Sequence, residues 1–183
     1  LRHSEMHHSS FSSANREEVL HHINNRIASA HEIWDKATVL ILTLGSAFVY
    51  YNKEGKVVGN CHKLPESEFN RHRLTTEEII DYCKTLITDV LQKKPDIKII
   101  FTVSPIRHLR DGLHENQLSK STLLLATDKL KELYPQNIFY FPAYELMMDE
   151  LRDYRFYADD MTHPSSLAVE YSWEKISDAC FYK

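Results

Sequence analysis

Asp160 and His163 stand three residues apart in the stretch Asp160-Met-Thr-His163-Pro164. In a tight loop that spacing lets the carboxylate accept a hydrogen bond from the imidazole. Such a bond fixes the ring's tautomer and stabilises the imidazolium formed when the ring acts as general base. Pro164 suits the first turn of a helix just beyond, which would hold the pair on a rigid element. The spacing alone is weak, because it recurs at Asp111 and His114. Asp159 is an alternative partner for the ring. A loop Asp capping a helix beside a solvated His would leave the same trace in the sequence.

A base of this kind needs a nucleophile, and none stands out. Ser46 follows an apolar run directly, but Gly45-Ser46 lacks the GxSxG elbow. Ser104 precedes Pro105 and reads as a turn residue. Cys83 and Cys180 fall on apolar helix faces. Cys61, in Asn60-Cys-His-Lys63, is the one thiol in a polar setting. Eleven histidines raise the question of metal. His3 and His7 are four apart, but in a segment with no helical pattern, and the adjacent pairs His7-His8 and His21-His22 point to different faces of a helix. With no HExxH, surface histidines are the expectation, and no metal or cofactor is expected. Arg107, His108, Arg110, Arg152 and Arg155 gather in two loops. They either bind an anionic substrate group or pair with Asp111, Asp149, Glu150 and Asp153. Tyr154, Phe156 and Tyr157 wall a pocket or cover the end of a sheet.

These loops need a scaffold, and the hydrophobic periodicity supplies one. Asn15 caps a helix running to about Trp34, preceded by a loop or ragged end over residues 1–15. Thr38–Leu44 is a continuous apolar run ending at Gly45, the mark of a buried parallel strand. Phe48–Tyr51 and Lys56–Val58 flank Asn52–Gly55 as a hairpin. Thr75 or Thr76 caps a second helix that Pro95 stops. Ile97–Val103 is a second buried strand, and Ile106–Asn116 a polar loop. A third helix covers about Lys120–Leu133. Asn137–Phe141 is a third strand, residues 143–151 a short helix, and Arg152–Thr162 a loop. A final helix runs from Pro164 through Cys180. Alternation of strands and helices predicts one α/β domain over residues 1–183, with a mainly parallel sheet and helices on both faces. In such sheets ligands bind beyond the carboxyl ends of the strands, where Gly45–Ala47, Ser104–His108 and Asp159–His163 fall.

Composition narrows the classes. The 183 residues carry 22 Lys plus Arg against 26 Asp plus Glu, a net charge of −4, so no general attraction to nucleic acid follows. Hydrophobic residues at 43% exclude wholesale disorder. No apolar run approaches the roughly 20 residues of a membrane span, and the polar start is unlike a secretory leader. Three scattered cysteines predict reduced thiols rather than a disulfide framework. The compartment and the oligomeric state stay open. Leu1 in place of Met, with only three parallel strands, leads us to expect an internal piece of a longer protein.

Taken together, Leu42–Tyr50, Val57–Lys63, Thr102–Gly112, Tyr140–Glu145 and Asp149–Ser165 resemble the GSCFA family, a bacterial branch of the SGNH/GDSL hydrolases. The resemblance covers about residues 7–175. It implies a flavodoxin-like, three-layer α/β/α fold and ester hydrolysis by a Ser/His/Asp site, with a small acyl group on a carbohydrate as the superfamily's suggestion. Asp160 and His163 match the DxxH block. Gly45 matches the glycine of the superfamily's third block, while Ala47 stands where that block has its oxyanion-hole Asn. We expect Asn60 or His62 to replace it. We further expect Gly45, Ser46, Arg107 and His108 to contribute to oxyanion or substrate binding. His8-Ser9 resembles the tail of an upstream block.

The departure from the family pattern is the GSCFA segment with its nucleophilic Ser, which Ser12-Ser13-Ala14 does not replace. The chain therefore reads as the C-terminal portion of such a protein, lacking N-terminal strands and holding the base and its Asp. Three rivals stand beside this reading. One is a non-catalytic carbohydrate- or partner-binding module on the same fold. Another is a metal-dependent hydrolase using the His-rich start. The third is a complete enzyme with Ser46 as nucleophile.

Overall fold

The computed structural model describes residues 1–181, and the chain divides into two units. The first comprises Leu1–Ala37 and Phe48–Leu74. Its helix α1, Arg16–Lys36, starts where expected: the Asn15 side chain accepts from the Glu17 N–H at 2.9 Å, and Glu17 and Glu18 occupy the positive first turn. Val19 and Ile23 are buried, while Ile27 and Ile33 are exposed. Strands β2, Phe48–Asn52, and β3, Val57–Val58, form the expected hairpin, with Gly55 at φ +76° closing the turn.

This unit holds one element beyond those expected. A further strand, β4, Phe69–Arg73, pairs antiparallel with β2, giving a three-stranded sheet in the order β3-β2-β4. Phe69, Arg71 and Arg73 are half-buried and Asn70 and His72 exposed, so the strand alternates using arginines rather than aliphatic residues. The Arg71 guanidinium lies 3.6 Å from the Phe48 ring centroid, which explains how an Arg takes an inward position. Of the two readings of residues 1–15, the loop holds, and it is tied down. Arg2 bridges Ser13, and the Gly59 and Asn60 N–H groups both donate to the Glu5 carbonyl, at 2.8 and 2.9 Å.

The second unit holds Thr38–Ala47 and residues 75–181. Its sheet is parallel, in the order β1-β5-β6, from β1 (Val39–Leu44), β5 (Lys98–Val103) and β6 (Ile138–Tyr140). Leu40 pairs with Ile99, Leu44 with Val103 and Ile100 with Phe139. Central β5 is buried over Ile99–Val103, which is why it reads as an unbroken apolar run. Helix α2, Thr76–Lys93, opens on a reciprocal capping box between Thr75 and Glu78. It packs on α3, Gly112–Leu133, and α3 packs on β5 and β6. On the other face Ile176 of α5, Ser166–Cys180, packs with Ile100 and Phe141. Between β6 and α5, a helical turn α4, Ala143–Glu145, widens into a π-type turn, Leu146–Glu150. The result is the mixed, three-layer α/β/α arrangement that the alternating pattern predicts.

Two boundaries move. Helix α3 begins at Gly112, not near Lys120, and absorbs the end of the supposed loop. Its buried stripe is Asn116, Ser119, Lys120, Leu123, Ala126, Thr127 and Leu130. That is a helical period whose first turns are polar, so apolar residues alone start it too late. Pro164 lies before α5 rather than in its first turn. It bridges Tyr157, and Ser165 is the cap, its hydroxyl accepting from the Ala168 N–H.

Candidate active site

The turn between Ala158 and His163 is organised by one carboxylate. Asp160 Oδ1 accepts from the backbone N–H of Thr162 at 2.8 Å and of His163 at 2.9 Å. Asp160 Oδ2 accepts from the His163 ring nitrogen Nδ1 at 2.5 Å. The His163 N–H, then the Thr162 N–H, then the imidazole bond hold the Asp160 carboxyl well below the usual carboxylate range. Met161 takes the left-handed conformation at φ +58°, and the turn is closed by bonds between Met161 N–H and the Ala158 carbonyl and between Ala158 N–H and the His163 carbonyl. Left-handed backbone at a residue with a Cβ disfavours the turn by about 1–2 kcal/mol, which the three bonds to Asp160 offset. The ring is thus fixed with Nδ1 as donor and Nε2 directed away from the carboxylate. Asp160, rather than Asp159, is the residue holding it. About half of each side chain is exposed.

A second cluster sits at the carboxyl ends of β1 and β5. Lys120 Nζ donates to the Gly45 carbonyl and to the Ser104 carbonyl, both at 2.6 Å. His108 Nε2 donates to the same Gly45 carbonyl at 3.2 Å, and the His108 N–H donates to Asn116 Oδ1 at 2.9 Å. Ser119 Oγ accepts the Ala47 N–H at 2.8 Å and lies 3.5 Å from Ser46 Oγ. Lys120 is 1% exposed, and burial pulls its ammonium down to about 8. Asn116, Ser119 and Lys120 were missed as site residues. Their signal is the polar start of the α3 stripe, visible once polar residues are allowed on an inward face.

Backbone joins the two clusters. The Arg107 N–H donates to the Thr162 carbonyl at 3.1 Å, and the Ile106 N–H to Ser104 Oγ at 3.3 Å. Arg107 Nη2 donates to the Tyr157 hydroxyl at 2.8 Å, with the guanidinium 4.1 Å from that ring's centroid. Gly45, Ser46, Arg107, His108, Asp160 and His163 are therefore brought into one network at the carboxyl end of the parallel sheet. Asn60 and His62 belong to the first unit. There Asn60 Oδ1 accepts the His62 N–H at 2.8 Å, His62 Nε2 donates to the Ser4 carbonyl at 2.9 Å, and the His62 ring stacks on His3.

Of the arginines, Arg107 and Arg152 line a cavity of about 210 Å³ with Asp153, Tyr154 and Tyr157. Arg155 Nε lies 3.9 Å from Asp153, which fits the ion-pairing alternative. A larger groove of about 510 Å³ opens beside His163, lined by Ile41, Thr43, Ile106, Phe141, Val169 and Trp173. Thr102 also lines it, and among the described residues its buried hydroxyl has no hydrogen-bond partner. Among the described residues, no serine hydroxyl bonds the His163 ring. Among them also, no group of three His, Cys, Asp or Glu side chains is placed to share a metal ion, and no helix is long and apolar enough to cross a membrane.

A family model described as the GSCFA family matches residues 1–176. No curated protein and no solved structure matches the chain.

Proposed function

The chain belongs to the GSCFA family, and from that premise we propose that it carries the base of a serine ester hydrolase of the SGNH/GDSL type. The observation that carries this reading is the Asp160–His163 pair: a carboxylate accepting two backbone N–H groups and an imidazole Nδ1–H. That arrangement leaves His163 Nε2 as the free basic atom. Nε2 takes the proton of a serine contributed by a segment upstream of this chain, and the serine oxygen attacks the ester carbonyl. The proton then passes from Nε2 to the leaving alkoxide. Water, activated by the same nitrogen, releases the acid. Asp160 stays ionised throughout, steadying the imidazolium. The backbone around Gly45 and Ser46 is the proposed source of oxyanion donors. The groove beside His163 offers apolar walls to the acyl group, and a carbohydrate O-acetyl ester is the proposed substrate class.

The test is labelling with a fluorophosphonate probe, read by peptide mass spectrometry, on this chain and on the protein extended upstream through the GSCFA segment. Labelling of an upstream serine, lost in His163→Ala, supports the reading. Labelling of Ser46 in this chain replaces the proposed nucleophile. Absence of labelling in both folded proteins favours a binding module on the same fold.

A further inference from the structure

Lys120 is a cation that a packing role alone would not select. Its side chain is buried, and among the described residues no carboxylate pairs with it. Burying an unpaired ammonium is costly, and an apolar side chain of that length would fill the space more cheaply. What the ammonium does contact is specific. It bonds two carbonyls, Gly45 and Ser104, on the residues that leave β1 and β5. These are the points at which the two chains leave the sheet, one continuing to Ser46 and the other to Pro105.

The consequence for Ser46 follows from peptide geometry. No cis peptide occurs among the described residues, so the Gly45 C=O and the Ser46 N–H point in opposite directions across one rigid plane. A donor that holds the carbonyl on the α3 side turns the N–H to the opposite side. His108 Nε2 holds the same carbonyl, and Ser119 holds the next N–H, of Ala47. The Gly45–Ser46 plane is therefore held at its carbonyl, and the next plane at the Ala47 N–H, by residues from α3 and the loop before it.

We propose that Lys120 is the positioning residue of this site: by clamping the Gly45 and Ser104 carbonyls it sets the aim of the Ser46 N–H and locks the ends of β1 and β5 together. It touches no reacting atom. The clamp stands on geometry alone. Its use in aiming an oxyanion donor rests on the esterase reading above.

The experiment has two arms. In the first, this chain is compared by NMR with Lys120→Met and Lys120→Gln, the latter keeping an NH2 donor group. We expect both variants to keep the wild-type helix content, and the Gly45 carbonyl and Ser46 amide resonances to move in the Met variant and partly return in the Gln variant. Unmoved resonances overturn the proposal. Should the Met variant fail to fold, the wild type decides: the Gly45 and Ser104 carbonyl resonances must follow the titration of Lys120 Nζ, and carbonyls blind to it overturn the clamp. In the second arm, Lys120→Met in the upstream-extended protein should lower kcat about 10- to 100-fold with KM within about twofold, since an oxyanion donor acts in the transition state. A folded variant with unchanged kcat overturns the aiming role. If the extended wild type hydrolyses no ester, the esterase reading fails by itself, and the first arm still judges the clamp.

Discussion

Asp160→Asn is the sharpest perturbation of the proposed site, because Asn keeps the shape and reverses one hydrogen bond. The two backbone N–H groups of Thr162 and His163 require an acceptor, so the Asn carbonyl oxygen must take the Oδ1 position. Its NH2 group then faces His163 Nδ1, where a donor already sits at 2.5 Å from Oδ2. Two donors cannot share that contact, so we expect the neutral ring to move its proton to Nε2, with the bared Nδ1 accepting from the amide and from Thr162 Oγ1, 3.0 Å away. The base then offers a proton where it should accept one. In a buried triad this exchange lowers kcat by about 10⁴. Here about half of each side chain meets solvent, and water competes for both nitrogens, so we expect a loss of about 10²–10³ in the upstream-extended protein. The tautomer is readable in this chain itself, from long-range proton–nitrogen NMR correlations of the His163 ring. We expect Nδ1–H in the wild type and Nε2–H in the variant. A variant that keeps Nδ1–H, or keeps activity within about tenfold, refutes the reasoning.

Other expectations follow from the same contacts. The Asp160 carboxyl is held below its usual value of 3.8, so its contribution to stability is present above that value and is lost as pH falls through the lowered one. The Thr162 and His163 amide resonances should therefore stay put on acidification through pH 4, and a titration centred there contradicts the three-bond geometry. Lys120 has the opposite sign. Its ammonium is lowered from the usual 10.5 to about 8, so folding is penalised below pH 8 and the penalty lifts between about pH 8 and 10.5. At about 1.4 kcal/mol per pH unit the relief is about 3 kcal/mol. Urea unfolding at pH 7 and pH 10 should show the wild type gaining on Lys120→Met, and a difference that does not grow refutes the burial argument. Ser119→Ala leaves the N–H of Ala47, a residue 1% exposed, without its acceptor; we expect about 1–3 kcal/mol lost in urea unfolding, and a loss near zero would show another acceptor at hand. Arg107→Met removes the Tyr157 hydroxyl bond and the ring contact. We expect about 1 kcal/mol less stability and faster amide exchange over residues 157–163, and unchanged exchange would unlink the two loops.

The parallel sheet was legible because β5 is buried on both faces and spells this as a continuous apolar run. Helix α2 was legible from Thr75 and its apolar face, and Asp160 with His163 from their spacing plus the family motifs. What escaped was structure built by polar residues facing inward. Helix α3 begins with Asn116, Ser119 and Lys120 on its buried side, so the first two turns look like a loop to any rule that counts hydrophobic residues. β4 escaped for the same reason, its inward Arg71 being held over Phe48. Both cases depend on partners distant in sequence: the strand-end carbonyls of Gly45 and Ser104 for Lys120, an aromatic on β2 for Arg71. Pro164 misled by a familiar preference for the first turn of a helix, while Ser165 provided the cap.

The route between β1 and β5 has a consequence for how the chain can vary. Leu40 finds its partner Ile99 only after the chain has left at Ala47, built β2, β3 and β4, and returned at Thr75. That excursion is roughly half of the connection, and closing a loop about twice as long raises the entropic barrier by only about 0.6 kcal/mol. Parallel neighbours need a long crossover in any case. The interruption is therefore thermodynamically cheap, and a longer or shorter stretch between Phe48 and Leu74 is expected to leave the register of β1 and β5 in place. Lys120 and His108, which hold the Gly45 and Ser104 carbonyls, both lie in the second unit, so a change of length confined to that stretch removes neither of them.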